Sequence, residues 1–207
     1  LENRARIARF EAFHNVLKSY RFQKIVLGHH KWDQAETVLL NLLRGSGLSG
    51  LSGIRGLQDK ICHPLLIFSP EELKKLLTEQ SIVWREDESN FQNQYTRNRL
   101  RNELIPKLQD EYNPQVKDKL CDAAAIISKA DIYIRERAQR KYKKLLLVIS
   151  KEQLILSLPD LIRAPDIEQY YIMRFAYQAI AGVELDFLST HVREIKGIMF
   201  AEGSKYI

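Results

Sequence analysis

Asp33 and Glu36 stand three residues apart, just ahead of the apolar run VLLNLL and just after His29. On a helix this spacing puts both carboxylates on one face, where they can bind Mg²⁺, take the exocyclic amine of a base, or orient a nucleophile. An imidazole at position 29 can polarise a substrate carbonyl or carry a proton. The same spacing also suits a capping box, with Asp33 accepting from the first helical N–H groups and Glu36 reaching back. Spacing alone leaves both readings open. His29 and His30 would project to opposite faces of a strand, so at most one of them enters such a site. Arg44 closes the apolar run, and Arg97 and Arg101 share a face at helical spacing, as a phosphate clamp or as a plain basic surface.

The elements around these residues read as α/β. Ala5, Ala8, Ala12, Val16 and Leu17 recur at helical spacing and predict an amphipathic helix over 3–20. KIVL, Lys24 to Leu27, reads as a buried strand, and a helix follows from Asp33 to Arg44. Helix, strand and helix in that order suggest a parallel sheet with crossover helices, whose site lies where strands end and helices begin. Gly45, Gly47, Gly50 and Gly53 predict a loop, which can admit a phosphate or ribose to backbone N–H groups or serve only as turns. Ile61 to Phe68 reads as an extended segment broken by Pro64, and Pro70 opens a helix to Gln80.

The second half reads as mainly helical, with a boundary near residue 110. A helix from Thr96 should be disturbed at Pro106, and a long helix should start near Pro114 and run towards Leu146. A strand is expected within 150–158, and helices over 167–181 and 185–200. The expected domains are therefore 1–110, an α/β domain, and 111–207, a mainly helical domain.

Charge gives the partner class. The net charge is +6, and KADIYIRERAQRKYKK, Lys129 to Lys144, holds seven Lys and Arg against two acids. Such a face fits a polyanion through counterion release, with Arg137, Arg140, Lys141 and Lys144 as candidate contacts; a solvated helix surface is the alternative. Cys62 and Cys121 are far apart, without CxxC or zinc spacing, so they read as core residues of a protein in a reducing cytosol. No run of about 18 apolar residues offers a membrane span.

Several of these motifs together resemble one family. HHKWDQAET followed by RGSGLSGLSGI is similar to the signature of the tRNA(Ile)-lysidine synthetases. HPLL at His63 to Leu66, WREDESN at Trp84 to Asn90 and RNRLRNELIP at Arg97 to Pro106 resemble further motifs of that family in the same order. Within WREDESN, Asp87, Ser89 and Asn90 also suit an Asx turn or an N-cap. His63 stands where the family usually carries arginine, and Trp32 where many members carry an acid.

The resemblance implies a Rossmann-like fold of the adenine nucleotide α-hydrolase type and a ligase that uses ATP and Mg²⁺. Such enzymes adenylate the C2 oxygen of the wobble cytidine in a tRNA(Ile) with a CAU anticodon. The ε-amine of L-lysine then displaces AMP to form lysidine. It places His29, Asp33 and Glu36 at the catalytic site and implies a cytoplasmic protein; it also allows a homodimer. The family's S-G-G-x-D-S triphosphate loop does not occur in the 207 residues. Such a loop is expected upstream of Leu1, and further tRNA-binding domains after Ile207, so the chain by itself is expected to be inactive. The rival expectations are a tRNA-thiolating enzyme with the same nucleotide fold and an inactive RNA-binding module.

Overall fold

The computed structural model describes residues 2–85, 95–150, 153–181 and 189–199. They form two compact units that divide between Ser128 and Lys129. None of the described helices is long and apolar enough to cross a membrane.

The first unit opens with helix α1, Glu2–Ser19, in which Leu17 is buried while Ala8, Ala12 and Val16 remain exposed. Strand β1, Ile25–Val26, leads to helix α2, Lys31–Leu43. After the short helix α3, Leu48–Leu51, come β2, Leu57–Gln58, and β3, Ile61–Cys62. β1 and β3 are parallel, with Ile25 opposite Ile61 and Val26 opposite Cys62, and β2 pairs antiparallel on the far side of β3. The β1–α2–β3 path is the expected strand–crossover–strand unit.

Local details depart from the sequence reading. KIVL is not fully buried: Val26 is 63% exposed, because β1 is an edge strand among the described residues. The glycine-rich loop contains α3. Beyond β3 the chain turns into a 3₁₀ helix, Pro64–Ile67, instead of continuing extended, since Pro64 carries the φ suited to a first helical position. Helix α4, Pro70–Glu79, starts as Pro70 suggested, and Ser69 and Glu72 close a capping box on it.

Pro106 does not end its helix. Helix α5, Thr96–Arg99, widens into a π segment, Leu100–Leu104, and resumes as α6, Ile105–Glu111. The N–H of Ile105 reaches back to the carbonyl of Leu100, five residues earlier, immediately before the residue that has no N–H to give. A widened turn is one of the ways a helix absorbs such a break. Leu39 of α2 packs with Leu100 and Ile105, joined by Leu40, Leu104, Leu108 and Leu120. This core fixes α2 against the Arg97–Arg101 turn.

Helix α7, Val116–Leu145, is the long helix expected after Pro114. In the second unit the aliphatic run Leu146–Ile149 forms strand β4, which pairs antiparallel with β5, Leu154–Leu156. A hairpin was not expected there, only a strand; the continuous β-favouring run LLVI accounts for β4. Helices α8, Leu158–Ile162, α9, Asp166–Ala181, and α10, Ser189–Met199, complete the unit. Its core gathers Ala138, Leu145, Leu161, Tyr171, Ile172, Met173, Val192 and Met199. Asp131 and Tyr171, both fully buried, are hydrogen-bonded to each other.

Candidate active site

The parallel register of β1 and β3 brings the segments after both strands to one edge of the sheet, the usual ligand edge of an α/β unit. His29 follows β1 and His63 follows β3, and their rings lie 4.9 Å apart at 49°. His63 is fixed twice: its N–H donates to Gly56 O at 2.8 Å, and its Nδ1 lies 2.8 Å from Arg55 O, a partner that can only accept.

Helix α2 starts one residue beyond His30. His30 is the N-cap, with Nδ1 accepting from the Asp33 N–H at 3.3 Å, while Asp33 Oδ2 accepts the His30 N–H at 2.8 Å. The capping box therefore exists, but it runs from His30 to Asp33 and not from Asp33 to Glu36. Asp33 is its far member, and Glu36 is free for a different partner.

That partner is a pair of arginines. Arg97 donates from Nε to Glu36 Oε2 at 2.8 Å and from Nη2 to Asp33 Oδ1 at 2.9 Å. Arg101 donates from Nε to Glu36 Oε1 at 2.5 Å and from Nη2 to Glu36 Oε2 at 3.0 Å and to Asp33 Oδ1 at 3.1 Å. Two carboxylates and two guanidiniums thus form one charge-balanced cluster, with Glu36 2% and Asp33 7% exposed. Burial pulls the Arg101 pKa down, but the hydrogen bond and charge of Glu36 and the charge of Asp33 leave it raised. Charges this deep are tolerable only when paired and hydrogen-bonded.

The rest of α2 pins the loop behind it. Gln34 Oε1 accepts from Ile54 N at 2.6 Å, Gln34 Nε2 donates to Ser52 O at 3.2 Å, and Asn41 Nδ2 donates to Gly50 O at 2.7 Å. A Cβ on Gly53 would come within 2.5 Å of Gln34 Oε1, and one on Gly50 within 2.5 Å of Ser46 Cβ. These two glycines allow the loop to pack on α2. Gly45 and Gly47 have no atom within 4 Å of such a Cβ.

Trp32 anchors the other side. Its Nε1 donates to both carboxylate oxygens of Glu71, at 3.1 and 2.9 Å, and the ammonium groups of Lys31 and Lys117 lie 5.3 and 5.0 Å from its ring centre. Burial pushes the Glu71 carboxyl up, yet the backbone N–H, Ser69 and Trp32 bonds hold it below its ordinary value. Lys31 also pairs with Asp118 at 2.5 Å. The sequence offered no signal for these contacts, which join residues far apart in the chain.

The remaining candidates lie elsewhere. Arg44 is the exposed C-cap of α2, eleven residues from Asp33 and so about 16 Å along the axis. In the second unit, Arg137 Nε and Lys141 Nζ pair with Glu168 at 2.9 and 2.7 Å, while Arg140 and Lys144 are exposed. Asp87, Ser89 and Asn90 fall outside the described residues.

The sequence pattern of the PP-loop domain matches residues 1–108, which contain all of this geometry except the residues of α7 and beyond. The chain belongs to the PP-loop domain family. It is 29% identical to the tRNA(Ile)-lysidine synthase of Clostridioides difficile over the whole of this chain and 44% of that protein. It is 35% identical to that of Caldanaerobacter subterraneus over 70% of this chain and 31% of that protein, and 41% identical to that of Chlorobaculum tepidum over 54% and 34%. The chain thus spans less than half the length of these relatives.

Within this PP-loop domain Asp33 and Glu36, paired as they are, do not fit Mg²⁺. All four oxygens of Asp33 and Glu36 accept N–H donors, and no group of three or more His, Cys, Asp or Glu among the described residues could hold a metal. The Cys121 thiol is unsuited to sulfur chemistry. Cys121 donates to Lys31 O, and burial pushes its thiol up to about 11; Cys62 donates to Ile25 O. Neither is paired in a disulfide.

Proposed function

We propose that this chain forms part of a tRNA(Ile)-lysidine synthase, an ATP-dependent ligase that joins lysine to C2 of the wobble cytidine of a CAU-anticodon tRNA. One observation carries the reading: the D-x-x-E and R-x-x-x-R motifs, more than sixty residues apart, meet in one buried cluster on the helix that follows β1. The similarity to tRNA(Ile)-lysidine synthases supports the same activity.

In this reading ATP supplies the adenylyl group that makes the C2 oxygen of cytidine a leaving group. The chain's own contribution is placement. His29, held against His63, faces the reacting carbonyl or its proton; Asp33, Glu36, Arg97 and Arg101 form the adjoining wall; Arg44, Arg140 and Lys144, with Arg137 and Lys141 partly committed to Glu168, contact the tRNA backbone. The division into a catalytic part over 1–110 and a tRNA-binding helical part over 111–207 belongs to the same proposal, as do Mg²⁺ at a place other than Asp33 and Glu36, a homodimer, and a cytoplasmic location. The cysteine geometry counts against thiolation, which needs a reactive sulfur carrier.

The test is incorporation of labelled lysine into a CAU-anticodon transcript by the protein that carries these residues together with an S-G-G-x-D-S loop. ATP-dependent incorporation that is lost when the wobble cytidine is replaced is expected. RNA binding without incorporation would favour an inactive module.

A further inference from the structure

The buried cluster offers a guanidinium, and not a carboxylate, to whatever binds beside it. Each carboxylate oxygen already accepts at least one N–H, within 2.5 to 3.1 Å. A divalent cation bound at about 2 Å from these oxygens would sit against two positive guanidiniums, where like charges in a poorly solvated site repel strongly. Arg97 presents the opposite opportunity. Its Nε and Nη2 hold the two carboxylates, its Nη1 has no partner among the described residues, and its side chain is 32% exposed.

We propose that Asp33 and Glu36 are positioning residues that fix Arg97 and Arg101, and that the outer edge of Arg97 binds a phosphate-type anion. Glu36 is the centre of the device because it binds both arginines, Arg101 through two parallel bonds. A guanidinium held in this way loses little further freedom when it meets a phosphate oxygen, and its planar fork fits that oxygen pair. The assignment holds whatever nucleophile the enzyme uses.

The sign of one charge change tests the proposal. Glu36→Gln makes the cluster one unit more positive. If the carboxylates only neutralise the arginines, this variant binds inorganic pyrophosphate more tightly; if they position them, it binds more weakly. Titration of the 207-residue chain, followed by amide and arginine Nε–H NMR signals, should show pyrophosphate binding in the unaltered protein. At least tenfold weakening is expected in both Arg97→Gln and Glu36→Gln, with the Arg101 Nε–H signal lost in the latter. Equal or tighter binding by Glu36→Gln, or no binding by the unaltered chain, overturns the proposal. Asp33→Asn, which leaves the Glu36 bonds in place, takes over the titration if Glu36→Gln does not fold, with weakening expected and tightening contrary. Stoichiometric Mn²⁺ added to the unaltered chain should leave the amides of Ala35, Glu36 and Thr37 sharp; their selective broadening also overturns it.

Discussion

Arg101 grips Glu36 at both oxygens, Nε on Oε1 at 2.5 Å and Nη2 on Oε2 at 3.0 Å, across 65 residues of sequence. The bond joins the first turns of α2 to the π segment itself. The two elements also share the Leu39, Leu100 and Ile105 core. Packing and charge pairing therefore enforce the same placement.

Breaking this pair should cost stability. Removal of one partner from a buried ion pair leaves an uncompensated charge and typically costs about 3–5 kcal/mol; Arg101 is one-third exposed, so the lower end applies. Urea unfolding of Glu36→Gln should show a loss of about 3 kcal/mol, and a loss below about 1 kcal/mol would mean that the pair adds little.

Gly53 should be irreplaceable where Gly47 is not. Gly53 has φ +65° and its Cβ would meet the Gln34 amide, whereas Gly47 has φ −76° and open space around it. Gly53→Ala is expected to cost about 1–3 kcal/mol and Gly47→Ala less than about 1 kcal/mol by the same unfolding assay. Equal effects would remove the close packing of the loop on α2 from the account.

Cys121 should alkylate slowly at neutral pH. Burial raises its pKa from 9.0 to about 11, so the folded state favours the protonated thiol. This contribution to stability is complete below about pH 9 and is lost as pH rises through 11. In a Cys62→Ser background, iodoacetamide reactivity should rise near pH 11 in the folded chain and near pH 9 in denaturant. Rapid modification of the folded protein at pH 8 would contradict the burial argument.

Glu168 should restrain the basic helix. Lys141 and Arg137 hold its carboxyl below the ordinary value of 4.5, so its contribution to stability is present above that pH and is lost as pH falls through the lowered value. Glu168→Gln frees two cations on α7. RNA binding by the variant should tighten and its salt dependence should steepen, while Arg140→Ala with Lys144→Ala should make it shallower. An unchanged slope in both would take this helix out of the RNA contact.

The parts of the site that are local in sequence were legible. The Asp33–Glu36 and Arg97–Arg101 spacings each define one helix face, and α2, α4 and α7 follow their proline and apolar signals. What joined the two motifs was not legible, because an ion pair across 65 residues depends on tertiary packing and has no period. Helix capping was legible in kind but displaced by one turn: an imidazole on His30 took the position expected of an Asp33 carboxylate, which freed Glu36 for the arginines. At Pro106 the sequence marked the break in hydrogen bonding but not the π turn that absorbs it.

Lysine ligation leaves a product that nucleoside mass spectrometry reads directly. A CAU-anticodon tRNA, ATP and isotopically labelled lysine, incubated with the protein that carries these residues and an S-G-G-x-D-S loop, should yield labelled lysidine at the wobble position, and the His29→Gln variant should yield far less. Unmodified cytidine under these conditions, or sulfur in place of lysine at that nucleotide, would rule out lysine ligation by this protein.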